Sequence, residues 1–173
     1  MRNIFKNFIL LVLCNFIFPW AEMPWNGVSV ATSDNLNALS LNPAGLGINR
    51  GNQSAVFLPI HDNSISSIMS ADRFNNFGYS IHYKDDDDIF NPSNFTIGFG
   101  ADINNKLAFG ATWNKYHTID LGLLLRPVNS LSFGIKTTIA EDKNKHNPNV
   151  RFGVAIRPFG TRLTFGLDYT NIE

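Results

Sequence analysis

A period of two runs through this chain from Gln53 almost to its last residue, with bulk on one phase and very little on the other. Successive side chains of a strand point to opposite faces, so the period sorts residues by face. One face collects Phe95, Ile97, Phe99, Ala101 and Ile103, then Leu107, Phe109, Ala111 and Trp113, then Ile119, Leu121, Leu123 and Leu125. Leu131, Phe133, Ile135 and Ile139 continue it, followed by Val150, Phe152, Val154 and Ile156. The other face receives Thr96, Gly98, Gly100 and Asp102, then Ala108, Gly110 and Thr112, then Ser132, Gly134, Lys136 and Thr138. The dipeptide Phe-Gly recurs at Phe77, Phe99, Phe109, Phe133, Phe152 and Phe165, each time assigning the ring to one face and the glycine to the other.

Read along the chain, the pattern predicts about nine strands, with boundaries good to a few residues. They span 53–60, 64–71, 76–84, 94–103, 106–115, 118–127, 131–141, 149–158 and 161–171. A soluble sandwich or lipocalin-like barrel turns its apolar face inward and covers its exterior with charge. Only 16% of this chain is charged, against 13% aromatic with 15 Phe, and its second face is too small and too neutral for a solvated exterior. The inverse arrangement meets lipid with large apolar residues and lines the interior with small and polar ones. The expected class is therefore all-β, an up-and-down antiparallel transmembrane β-barrel with a short N-terminal hatch, incomplete at the C-terminus.

Loop lengths supply an independent check. The long connections, 85–93 and 142–149, fall at one end of the predicted strands, and the short turns near Asn104 and Asn105, Asn129 and Gly160 fall at the other. Outer-membrane barrels separate short periplasmic turns from longer external loops in this way. Nine strands break the usual even parity of such barrels, so further sequence is expected beyond Glu173.

The amino terminus adds an address. Arg2 and Lys6 precede an apolar run from Phe8 to Phe18, the layout of a secretory signal peptide and too short to span a bilayer as a helix. Leu13 ahead of the lone Cys14 is too bulky for a lipoprotein signal. The expected division is a signal peptide at 1–22, a hatch segment at 23–52 and β-barrel at 53–173, in the bacterial outer membrane. After cleavage no cysteine remains for a disulfide or a thiol nucleophile.

The segment "VSVATSDNLNALSLNPAGLGINRG" has no alternation and no helical period beyond a turn or two around Asn35 to Leu41. Pro43 fixes its own φ and biases Asn42 away from helix, and Gly45 permits a sharp turn. The pattern Ala31, Asp34 and Ala38, then Asn42, Pro43, Ala44, Gly45 and Leu46, resembles the hatch of FadL-like outer-membrane proteins, where an Asn-Pro-Ala-Gly element precedes the first strand. Relatives of that family include hydrocarbon transporters and PorV-like barrels of a Bacteroidetes secretion system. Residue by residue, Asn42, Pro43, Ala44 and Gly45 match the element. The resemblance implies a plugged lumen whose hatch shifts to open a lateral path for apolar ligands. It also allows a plug without any transport role. The stretches "DLGLLLRPVNSLSFGI" and "VRFGVAIRPFGTRLTFGL" look like two copies of one hairpin plan, each with Arg-Pro before its turn. Similar hairpins occur in barrel regions fused to signal-peptide-peptidase-like domains.

Candidate lumen-facing residues are Asp120, Lys136, Arg151 and Asp168. Matching the interior faces of the last two strands sets Arg151 opposite Asp168 and Gly153 opposite Gly166, which predicts an interior ion pair. The same register brings Arg157 beside Arg162, where like charges repel unless an anionic group sits between them, a possible anion site. His61, His82, His117 and His146 lack metal-ligand spacing, so no metal is expected. The run Asp85 to Asp88 reads as a solvated external loop. No phosphate-cradling loop or nucleophile-base set is present, so neither an enzyme nor a cofactor is expected. A balance of 14 basic and 14 acidic residues gives no reason to expect nucleic acid. The expected function is binding or passage of apolar small molecules by a barrel set in outer-membrane lipid. The alternatives are a structural or protein-binding barrel and the barrel portion of a larger peptidase-like protein.

Overall fold

The computed structural model describes residues 29–58, 60–61, 64–65, 67–84, 92, 94–115, 117–140, 149–158 and 163–170. The expected signal peptide, Arg162, the Asp85 to Asp88 run and all of the two long loops except Pro92 and Asn149 lie outside the described residues. Among the described residues eleven strands follow two 3-10 turns, at Leu36–Leu39 and Pro43–Gly47. The strands are β1 (Gln53–Phe57), β2 (Ile60–His61), β3 (Ser64–Ile65), β4 (Ser67–Phe74), β5 (Phe77–Lys84) and β6 (Asn94–Asp102). They continue with β7 (Leu107–Asn114), β8 (Thr118–Val128), β9 (Leu131–Ala140), β10 (Asn149–Ile156) and β11 (Phe165–Thr170).

Nine of the strands form one antiparallel, up-and-down sheet in the order β1-β4-β5-β6-β7-β8-β9-β10-β11, and β2 and β3 form a separate small hairpin. The sheet is not closed: among the described residues β1 pairs only with β4, and β11 only with β10. Asn75 and Asn105 take left-handed φ values of 52° and 58° in the tight turns after β4 and β6, a conformation Asn tolerates better than most residues.

The two faces divide as their composition demands. The six phenylalanines of the Phe-Gly dipeptides are all exposed, between 38% and 59%, while five of the six following glycines are buried and Gly166 is half-buried. From Phe99 onward the outward face is dominated by exposed Phe, Leu, Ile, Val, Trp and Tyr, with a few half-buried positions such as Leu107, Leu131 and Thr137 among them. That rule fails at the start of the sheet. In β4 the outward residues Ile68, Ser70 and Asp72 are buried, and Asp72 accepts a hydrogen bond from Ser54 Oγ on the neighbouring β1.

Two expectations are corrected. The strand predicted at 64–71 is divided between β3 and β4, and β4 runs on to Phe74. Asp72 and Arg73 look like the end of a strand, yet Ser54 satisfies the first and hatch carbonyls the second, so the ladder continues until Asn75 turns it. The last two strands keep their predicted faces but slide by two residues. Arg151 lies opposite Thr170, Gly153 opposite Asp168 and Ala155 opposite Gly166. The predicted Arg151 to Asp168 ion pair does not form, because Asp168 is used by the hatch and needs a partner with no side chain. A Cβ on Gly153 would sit 2.5 Å from Asp168 Oδ1 and 2.6 Å from Val30 Cγ2.

Candidate functional site

The hatch segment lies on the inward, glycine-rich face. Its two 3-10 turns have local causes. Asn35 Oδ1 accepts the Asn37 N–H at 3.0 Å and starts the first, while Asn42 Oδ1 accepts the Ala44 N–H at 3.1 Å and starts the second, with Pro43 at the first helical position. Leu36, Ala38, Leu39 and Leu46 then pack against Ala71 and Ala55 of the sheet, and Ala44 and Ile48 against Ala108 and Leu124. Leu46 is fully buried, and such burial of one leucine contributes about 1.5–3 kcal/mol.

All four residues of the Asn-Pro-Ala-Gly element act in this seating. The amide of Asn42 donates from Nδ2 to Val30 O at 2.8 Å and to Leu123 O at 3.1 Å, tying two parts of the hatch to β8. Pro43 O and Ala44 N lie against Gly110, and Asn42 Oδ1 against Gly122, so close that neither glycine could carry a Cβ without displacing them. Gly45 itself faces Ser33 O with the same lack of room. The inward face is therefore a floor of missing side chains shaped to a backbone, with Asn42 as the cross-tie.

Asp120, Lys136, Arg151 and Asp168 share the inward face, where three of them enter two separate arrangements. Lys136 Nζ pairs with Asp120 Oδ2 at 2.9 Å and donates to Ser40 O at 2.6 Å, while Thr138 Oγ1 donates to Asp120 Oδ1 at 2.6 Å. Asp168 grips the start of the hatch, accepting from Ser29 Oγ and from the Val30 N–H at 3.1 Å. Arg151 belongs to neither and donates from Nε to Thr170 Oγ1 at 3.1 Å. Ser132 Oγ adds a bond to Ala31 O at 2.7 Å.

At the short-turn end the electrostatics concentrate on one carboxylate. Asp34 Oδ2 lies 2.6 Å from Arg50 Nη2, 2.9 Å from Arg126 Nη2 and 3.5 Å from Arg157 Nη1. A fourth arginine, Arg73, is fully buried beneath the hatch and donates to the carbonyls of Asp34, Leu46, Ile48 and Asn75. Burial opposes ionisation of Asp34, but Arg126, Arg50 and Arg157 outweigh it and hold the carboxyl below its ordinary value. The anionic neighbour of Arg157 is Asp34, whereas the expected anion site between Arg157 and Arg162 rested on the earlier register, which the slide of two residues replaces, and Arg162 lies outside the described residues.

Arg50, Arg73 and Arg126 do not stand out in the sequence, because they reach Asp34 from the hatch end, β4 and β8. The doubled Arg-Pro was the available signal. The N–H of Arg126 donates to Lys106 O at 2.6 Å and that of Arg157 to Ser130 O at 2.7 Å, so the two copies place equivalent guanidiniums over the same hatch residue. Among the described residues no three His, Cys, Asp or Glu side chains are grouped to hold a metal ion, and no helix is long and apolar enough to cross a membrane. No family model, curated protein or solved structure gives a significant match to this chain.

Proposed function

We propose that this chain forms the wall and plug of a FadL-like outer-membrane β-barrel that binds or passes apolar small molecules. One observation carries the reading: an antiparallel sheet whose outward face is largely exposed and apolar from Phe99 onward, while its inward face is glycine-lined and occupied by a separate segment. Soluble monomers rarely expose apolar patches larger than a few hundred Å2, and a sheet that meets lipid requires one. In this reading the lipid belt runs over β6 to β11. The buried Ser70 and Asp72 of β4 exclude that strand's outward face from it. Beside its buried leucines, the hatch is tied down by hydrogen bonds to backbone carbonyls and by ion pairs at the strand ends, polar contacts that a shift can exchange for water.

The close fit of Asn42 and Pro43 to Gly122 and Gly110 favours a second reading, in which the plug is permanent and the barrel is a structural or protein-binding element. The chain refolded into lipid vesicles and titrated with a fluorescent apolar probe separates the two. Saturable binding, displaced by unlabelled hydrocarbon, is expected for the first. A chain that inserts and binds no probe leaves the second, and a chain that stays in water as a monomer sinks both.

A further inference from the structure

Three guanidiniums, those of Arg50, Arg126 and Arg157, converge on a single oxygen of Asp34, with Arg73 on the same residue's carbonyl. One carboxylate neutralises one of these four arginines, so three positive charges remain close together at the short-turn end. Arginines in such numbers repel unless further negative charge joins them. The donors are also incompletely used. Arg126 Nε is buried without a hydrogen-bond partner, and Arg157 reaches Asp34 and Thr32 O only at 3.5 and 3.4 Å. Arg50 is 39% exposed, which gives the cluster an open side.

We infer that this cluster is a binding site for a phosphate group, seated against Arg50, Arg126 and Arg157 next to Asp34. A phosphate offers several acceptor oxygens and up to two negative charges, which suit forked donors and offset most of the surplus. A carboxylate ligand would supply one charge and leave two uncompensated. The group can arrive as free inorganic phosphate or as a lipid headgroup at the rim of the membrane, since both present the same oxygens. Asp34 shares the donors, so it competes with the ligand and weakens it. The inference goes beyond the proposed apolar cargo, because the site lies in the hatch and the strand ends and needs no ligand in the lumen.

The test uses the full chain refolded in phosphatidylcholine vesicles, with insertion scored separately by the mobility difference between unheated and boiled samples. Inorganic phosphate is titrated against chloride at equal ionic strength, and the thermal midpoint of the unheated band is read. A midpoint that rises with phosphate and not with chloride is expected. Asp34→Asn, which removes the competing charge, should tighten the apparent phosphate constant by about tenfold or more. Arg50→Gln, which leaves Arg73, Arg126 and Arg157 to hold the hatch, should weaken it by a similar factor. Vesicles containing phosphatidic acid, without free phosphate, distinguish the sources: a midpoint already raised there, with no further response to phosphate, assigns the site to headgroups. Equal responses to phosphate and chloride in the parent and in Asp34→Asn, with phosphatidic acid also without effect, would overturn the inference.

Discussion

At the scale of single residues the hatch depends on what is missing as much as on what is present. Gly122 leaves room for Asn42, and any side chain there meets Asn42 Oδ1, with Ala44 N and Pro43 Cδ each 2.9 Å away. Gly122→Val is expected to unseat the hatch at a cost of about 1–3 kcal/mol while the sheet persists. Limited proteolysis of segment 29–48 reads the change, and the outward Ala111→Val, which meets no hatch atom, should leave protection unaltered. Asp34 gives a pH signature whose sign follows from its lowered value. Its carboxylate contributes fully above the unfolded value of about 3.9 and is lost as pH falls through the lower folded one. Hatch protection is therefore expected to hold from about pH 7 to about pH 5 and to fail only in strong acid. Asp34→Asn should lose about 3 kcal/mol already at neutral pH, because three guanidiniums are left without their acceptor. Hydrogen exchange of the hatch amides across that range checks both statements.

At the scale of elements, face was legible in the sequence and partnership was not. The alternation around Phe99, Phe109, Phe133 and Phe152 assigned each ring and glycine to its side, because period two is a local property of the strand. Register is a pairwise property, and a slip of two residues preserves both faces, so alternation alone could not reject the pairing of Arg151 with Asp168. What decides it is a third element, the hatch, whose Ser29 and Val30 claim the Asp168 carboxylate. The same blindness hid the ring of arginines around Asp34, built from segments far apart in sequence. Register can be measured directly. Val154 and Leu167 are paired and both face outward, so Val154→Cys with Leu167→Cys should crosslink on oxidation. Val154→Cys with Phe165→Cys, the partner in the slipped register, should crosslink much less, and the opposite preference would refute the pairing.

At the scale of the whole molecule the arrangement is an open nine-stranded sheet that is largely apolar outside and polar with glycine inside, and whose inward face holds the segment 29–48. Its polar groups are spent on backbone carbonyls, as Arg73 and Asn42 show, or on ion pairs that fasten the plug. The claim on which the reading stands is that the outward face meets lipid. Strand β8 offers the cleanest test, since Ile119, Leu121, Leu123 and Leu125 are exposed on one side while Thr118 and Asp120 face the other. Single cysteines at these positions, in a chain carrying Cys14→Ser, can be labelled with an environment-sensitive fluorophore and the protein refolded into vesicles of brominated lipid. The account requires strong quenching at 119, 121, 123 and 125 and little at 118 and 120. Quenching that ignores the alternation, or labels that remain in water at all six positions, would contradict it.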